Sequence, residues 1–381
     1  MKKAVLCGVL VALMAVPALA GEAAKEKPKV EVVFVLDTTG SMSGLIKAAK
    51  AKVWAIANTL ATAKPAPDIK MGLVGYRDRA DKYVTKRTEL TTDLDAIYTH
   101  LMAFQAQGGG DTPESVNQAL NEAVTKMKWS TDDKTYRVIF LVGDSPPHMD
   151  YKDDVKYSVT CELAARNGIM INTIQCGTRT TTTPIWTDIA KRAEGQYFRV
   201  EQSGGAILAA TPFDAKLTEL SKKLEATRVY YGSAEVRGQA KKRAGLAKVF
   251  YAKSAPSATA TRAVFNAGEA GRHNFAGKDE LVQAVADKRV KLEDLKDDEL
   301  PGDLRKMKPE ERKKFVEQQL ATRAKLQKEI QALSEKRQAH IKAQLAKSKL
   351  KPKASLDHKL YDAIKGQAGK KGIEYKSGPS Y

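Results

Sequence analysis

The sequence predicts an α/β protein: a mostly parallel central sheet with helices on both faces, followed by a basic, mainly α-helical C-terminal extension. Three observations predict it. Residues 30–200 alternate apolar strand-like runs with amphipathic helical stretches, the order that successive βαβ units produce. The first run, Val30 to Leu36, is apolar almost throughout and reads as a buried strand. Residues 226–381 hold 35 Lys and Arg against 19 Asp and Glu, while residues 21–225 are close to neutral. Of the formal charge of +19, +16 therefore belongs to residues 226–381.

The elements follow in order. Gly44–Ala63 has the periodicity of an amphipathic helix, Ile69–Tyr76 is a second strand, and Tyr83–Leu90 alternates like an edge strand. Asp93 suits the cap of a helix running to Phe104, with Thr91 and Thr92 as rivals. Pro113 opens a helix to about Lys128, proline being suited to a first turn. Val138–Val142 is a central strand, and Lys152–Asn167 a helix stopped by Gly168. Ile169–Gln175 is a strand, Pro184–Ala193 a helix, Gln196–Val200 a last strand and Pro212–Leu224 a closing helix. Trp54 and Trp186 fall on helix faces as core residues.

Residues 226–300 read as a basic linker or small subdomain. Lys248-Val249-Phe250-Tyr251 is strand-like, Ser254 to Thr259 loop-like, and Glu280–Ala286 a short helix. Residues 301–350 contain a long charged helix opened by Pro309 and running to about Lys347, ~58 Å if straight. Its apolar stripe keeps no clean heptad, so a coiled coil is allowed but not compelled. Residues 351–381, with Gly366, Gly369 and Gly372, are expected to be a flexible basic tail.

The N-terminus reads as a secretory signal peptide over residues 1–20. Lys2 and Lys3 precede an apolar core, and Ala18-Leu19-Ala20 is a small-residue cleavage site. The expected location is therefore outside the cytoplasm, periplasmic or extracellular, with no transmembrane span after cleavage. Cys161 and Cys176 would then remain. A helix returning about 9 Å beside a strand that climbs about 23 Å leaves them too far apart for a disulfide.

Chemistry concentrates in three loops at strand ends. The first is Asp37-Thr38-Thr39-Gly40-Ser41-Met42-Ser43, which brings one acid and two hydroxyls, Thr39 and Ser41, to one spot. The second is Gly108-Gly109-Gly110-Asp111-Thr112-Pro113-Glu114-Ser115, where the glycines allow a close backbone turn. The third, Gly143-Asp144-Ser145-Pro146-Pro147-His148, sets an acid just past a strand. Hard oxygen donors without soft ligands suit Mg²⁺, with Mn²⁺ or Ca²⁺ as substitutes.

These loops, in this order, resemble the metal-ion-dependent adhesion site of the von Willebrand factor A (VWA) domain, a Rossmann-like fold, and in particular bacterial exported proteins of that family. The resemblance covers residues 29–225. It implies Asp37, Thr39, Ser41, Thr112 and Asp144 as metal ligands, and a partner carboxylate completing the ion's coordination. Ser43, Asp111, Glu114 and His148 flank the site. Asp111 and Glu114 either tune it or cap the following helix, the latter being the plainer reading. His148 reads as a surface histidine, and Tyr76-Arg77-Asp78-Arg79 as either ligand face or solvated turn.

The function expected is an exported, metal-dependent protein-binding module of adhesion or scaffold type. The alternative is a binder of an anionic envelope polymer or lipid surface through residues 226–381, with the α/β domain as scaffold. Catalysis is not expected: no Ser-His-Asp order, Cys-His pair or phosphate loop stands out, and five His are too few for zinc hydrolysis. Aromatic residues are sparse among the basic ones, which argues against nucleic acid.

Overall fold

The computed structural model describes residues 27–110, 112–205, 209–348, 352–376 and 378–380. The expected signal peptide, residues 1–20, and Asp111 lie outside the described residues. Six strands form one sheet: β1 (Lys29–Asp37), β2 (Asp68–Tyr76), β3 (Thr85–Thr91), β4 (Tyr136–Gly143), β5 (Ile169–Cys176) and β6 (Tyr197–Val200). The order is β3-β2-β1-β4-β5-β6, with only β3 antiparallel to its neighbour. Central β1 is covered on both faces, which is why its sequence is a continuous apolar run rather than an alternation.

One face packs against α1 (Ser43–Ala61) and α2 (Leu94–Ala103), with Val32, Phe34 and Leu36 of β1 meeting Leu45, Trp54 and Ile97. The other face carries α3 (Val116–Thr125), α4 (Tyr157–Arg166) and α5 (Thr182–Arg192), with Val33 and Val35 meeting Leu120, Cys161 and Trp186. Asp93 caps α2, its carboxylate accepting from the Ala96 backbone N–H at 3.1 Å. Helix α3 begins at Val116 rather than Pro113. The Glu114 backbone instead pairs with the Pro146–His148 segment, donating to the Pro146 carbonyl and accepting from the His148 N–H. Cys161 and Cys176 are buried free thiols.

The C-terminal half is helical: α6 (Asp214–Ala226), α7 (Ala234–Lys253), α8 (Pro256–Ala267), α9 (Arg272–Ala276), α10 (Leu281–Ala286), α11 (Gly302–Arg305), α12 (Pro309–Lys347) and α13 (Leu356–Ala368). Two expectations are corrected. The strand-like Lys248–Tyr251 lies in α7, because Phe250 turns onto Trp54 and Tyr98 while Lys248 and Val249 face solvent. The supposed loop at Ser254–Thr259 becomes the start of α8, with Pro256 in its first turn.

The expected flexible tail is also corrected. Leu356, Leu360 and Ile364 recur every four residues along α13 and are buried in the same core as α1. Gln367 pins the helix to the sheet: it exchanges two hydrogen bonds with Asn172 of β5 and accepts from the Tyr136 hydroxyl of β4 at 2.7 Å. Deleting residues 352–381 should therefore lower unfolding stability by about 3 kcal/mol or more, the worth of a few uncovered apolar side chains. Denaturant titration of the full and shortened chains measures it.

Buried cations tie the extension to the rest of the molecule and, at Arg323, to itself. Arg262 bridges Asp95 of α2 and Glu225 of α6, Arg323 grips Glu280, Arg337 meets Asp214, and Lys52 of α1 meets Asp357 of α13. Part of the basic surplus is thus structural. No helix among the described residues is long and apolar enough to cross a membrane.

Candidate functional site

The strand order reverses between β1 and β4, so a crevice opens above their carboxyl ends, where ligands sit in open α/β sheets. Asp37 is the last residue of β1 and Asp144 follows the last of β4. Both are buried. The Thr39 backbone N–H and hydroxyl both donate to Asp37 Oδ1, at 2.8 and 2.6 Å. The Thr39 hydroxyl lies 3.3 Å from that of Ser41, which is exposed. A Cβ on Gly143 would stand 2.5 Å from the Tyr76 hydroxyl and 2.9 Å from Asp37 Cβ. Only glycine lets β4 run this close to Asp37 and deliver Asp144 beside it.

The second loop folds over the first. Gly108 and Gly109 take φ of +80° and +78°, the left-handed region that other residues rarely adopt. The turn lets the Gly108 carbonyl accept from the Gly40 N–H at 3.1 Å, and sets Gly109 between Thr39 and Glu114. Thr112 is exposed at the rim, where Arg179 approaches its hydroxyl at 3.4 Å.

The electrostatics are those of acids crowded together without a counter-charge. Burial pushes the Asp37 carboxyl up to about 7, with Asp144 adding to the shift and the Thr39 hydrogen bonds opposing it. Burial pushes Glu114 up to about 9, reinforced by the charges of Asp37, Asp78, Asp81 and Asp144. Among the described residues no Lys or Arg forms an ion pair with Asp37, Glu114 or Asp144. Asp37 Oδ2, Glu114 Oε2 and the Tyr76 hydroxyl are buried with no hydrogen-bond partner there. Such orphaned acceptors are costly unless something fills the gap.

The donor set fits a hard divalent cation. Two carboxylates and the hydroxyls of Thr39, Ser41 and Thr112 offer oxygen donors, and an ion beside Asp37 Oδ2 would supply the missing charge. Among the described residues no group of three or more His, Cys, Asp and Glu converges as a ligand cluster. The candidate site depends on hydroxyls instead.

Other expected residues have different places. Glu114 precedes α3 and its carboxyl faces the acids, so it contributes no charge to the first helical turn. Capping by Glu114 is thereby corrected, while Asp111 lies outside the described residues. His148 is buried, not a surface residue: its Nδ1 lies 2.8 Å from Asp150, and its ring stacks on Tyr151. It props the third loop through its backbone bond to Glu114. Ser43 is exposed at the start of α1 and forms no hydrogen bond to the acids among the described residues.

Arg77 and Asp78 are buried scaffolding rather than a solvated turn. Arg77 donates to the Thr38 and Gln105 carbonyls, and Asp78 accepts from Ser115. Two residues at the site carry no sequence signal. Gln202 Nε2 donates to Asp144 Oδ2 at 2.7 Å, and Arg179 reaches Thr112. Both stand on irregular segments, where polar side chains follow no period.

Comparison with known proteins gives three findings. The family model of the von Willebrand factor A domain matches residues 31–211. A putative ariadne-like RING finger protein of Acanthamoeba polyphaga mimivirus is 26% identical over 119 residues, 31% of this chain. The match spans only 11% of that relative's length. Among solved structures, BatB from Bacteroides thetaiotaomicron is 18% identical at a TM-score of 0.35, over 45% of this chain and 90% of its own. The SpRpn10 VWA domain is 16% identical at a TM-score of 0.36, over 46% of this chain and 89% of its own. The family match spans all three loops and the reversal between β1 and β4, so residues 31–211 of the chain form a region similar to the von Willebrand factor A domain.

Proposed function

We propose that the protein is an exported, metal-dependent protein-binding module of adhesion or scaffold type and not an enzyme. VWA domains generally mediate protein interactions, and the finer reading rests on one observation. Asp37 is a buried acid beside a second acid and, among the described residues, one of its oxygens has no hydrogen-bond partner and no Lys or Arg pairs with it. Asp37 and Asp144 would hold a Mg²⁺, or Mn²⁺ or Ca²⁺ in its place, with the hydroxyls of Thr39, Ser41 and Thr112. When bound, the ion supplies an exchangeable coordination position suited to a partner's carboxylate.

The chain's own residues prepare that position. Thr39 and Gln202 fix the two acids in place by hydrogen bonds, while exposed Ser41 and Thr112 keep the rim open. Arg179 places a positive charge beside Thr112, favourable to an arriving carboxylate. The test is capture of partners from the envelope fraction of the source cell, in Mg²⁺ against EDTA, with Asp37→Ala alongside. A partner retained in Mg²⁺, released by EDTA and lost with Asp37→Ala is expected. Partners indifferent to both would overturn the reading.

A further inference from the structure

A second site stands apart from the first. We propose that the cleft between α7, α9 and α10 binds a small anion carrying two phosphate groups. The cleft encloses about 340 Å³, within the range of small-molecule sites and larger than one phosphate needs. Arg243 of α7, Arg272 of α9, and Lys278 and Arg289 on the segments before and after α10 line it, against two carboxylates, Asp93 and Asp287.

Those carboxylates are already committed. Asp93 caps α2 and lies 3.9 Å from Arg243. Asp287 is shared between Arg272 at 3.4 Å and Arg289 at 3.6 Å, and also accepts from Gln283. Lys278 forms no ion pair among the described residues. Arg243 Nη2 is buried with no hydrogen-bond partner there. It lies against Gly277, whose φ of +67° and missing side chain let the backbone close on the guanidinium, since a Cβ would stand 2.5 Å from Nη2.

The contrast with the structural arginines is direct. Arg262 and Arg323 each donate four hydrogen bonds, to carboxylates, hydroxyls and, for Arg323, a carbonyl. Here donors exceed acceptors and open onto a cavity. Forked guanidiniums favour phosphate oxygens, which they bind in pairs. No Phe, Tyr or Trp lines the cleft, so a stacked base has no platform. The shared chemistry is a phosphate pair, free in solution or presented by lipid headgroups.

The test is calorimetric titration of the full chain with pyrophosphate, with flotation on phosphatidylglycerol vesicles as a second arm. The variant is Arg272→Ala with Lys278→Ala, both exposed and outside the core. The control is Lys313→Ala with Lys314→Ala on the exposed face of α12. Pyrophosphate binding weakened at least tenfold in the cleft variant alone is expected for a soluble ligand. Vesicle binding lost in that variant alone, without pyrophosphate binding, assigns the phosphates to lipid. Binding of neither probe at millimolar concentration, or equal weakening in variant and control, would overturn the site.

Discussion

Asp37→Asn is expected to stabilise the metal-free protein at pH 8 while abolishing its stabilisation by Mg²⁺. Burial raises the Asp37 carboxyl from 3.8 to about 7. The folded state therefore holds a proton that the unfolded chain releases between those values, so stability falls as pH rises from about 4 to about 7. Ionising the buried acid costs about 4 kcal/mol above that window, at ~1.4 kcal/mol per pH unit. An amide of the same shape avoids the charge and still accepts from Thr39 through its oxygen. A gain of about 2 kcal/mol at pH 8 is expected, since the amide is also desolvated. The gain should vanish at pH 4, where wild-type Asp37 is protonated when folded. Thermal or urea unfolding at both pH values, with and without Mg²⁺, reads all of this. A metal-free variant less stable than wild type at pH 8 would contradict the strained-acid account.

Arg262→Ala should cost more than any surface change, about 3–5 kcal/mol. The side chain is fully buried. It donates twice to Asp95 at 2.6 Å, to Glu225 at 2.7 Å and to the Tyr251 hydroxyl at 3.0 Å. Its removal strands the Asp95 carboxylate in a low-dielectric setting, leaves Glu225 to Arg228 alone and opens a cavity beside Trp54 and Phe250. Arg262 stands on α8, Asp95 on α2 and Glu225 on α6, so the loss is felt on both sides of residue 225. One cooperative transition at lower denaturant is expected. Unchanged stability would show that the extension does not lean on the α/β domain.

The candidate site was legible because its chemistry sits where strands end. An apolar run closed by Asp37, and another closed by Gly143-Asp144, announce carboxylates at a sheet edge without further help. The hydroxyls follow at fixed spacing. The partners that tune those acids were not legible: Gln202 and Arg179 come from irregular segments distant in sequence.

In the extension, β-branched and aromatic Val249-Phe250-Tyr251 suggested a strand, but tertiary packing of Phe250 on Trp54 decided for helix. The glycines of residues 351–381 outweighed a signal that was present, Leu356, Leu360 and Ile364 at helical spacing. Gly366 is carried inside α13 and Gly369 caps its end. The buried Gln367 pair with Asn172 has no sequence signature at all.

The central claim is that Asp37 and Asp144 hold a divalent cation. Calorimetric titration of the metal-free protein with Mg²⁺ and Mn²⁺ at pH 8 tests it most directly, with Asp37→Asn and Asp144→Asn in parallel. One ion per chain in the wild type, with binding lost in each variant, is the expected result. No saturable binding to the wild type, or equal binding to all three proteins, would contradict it.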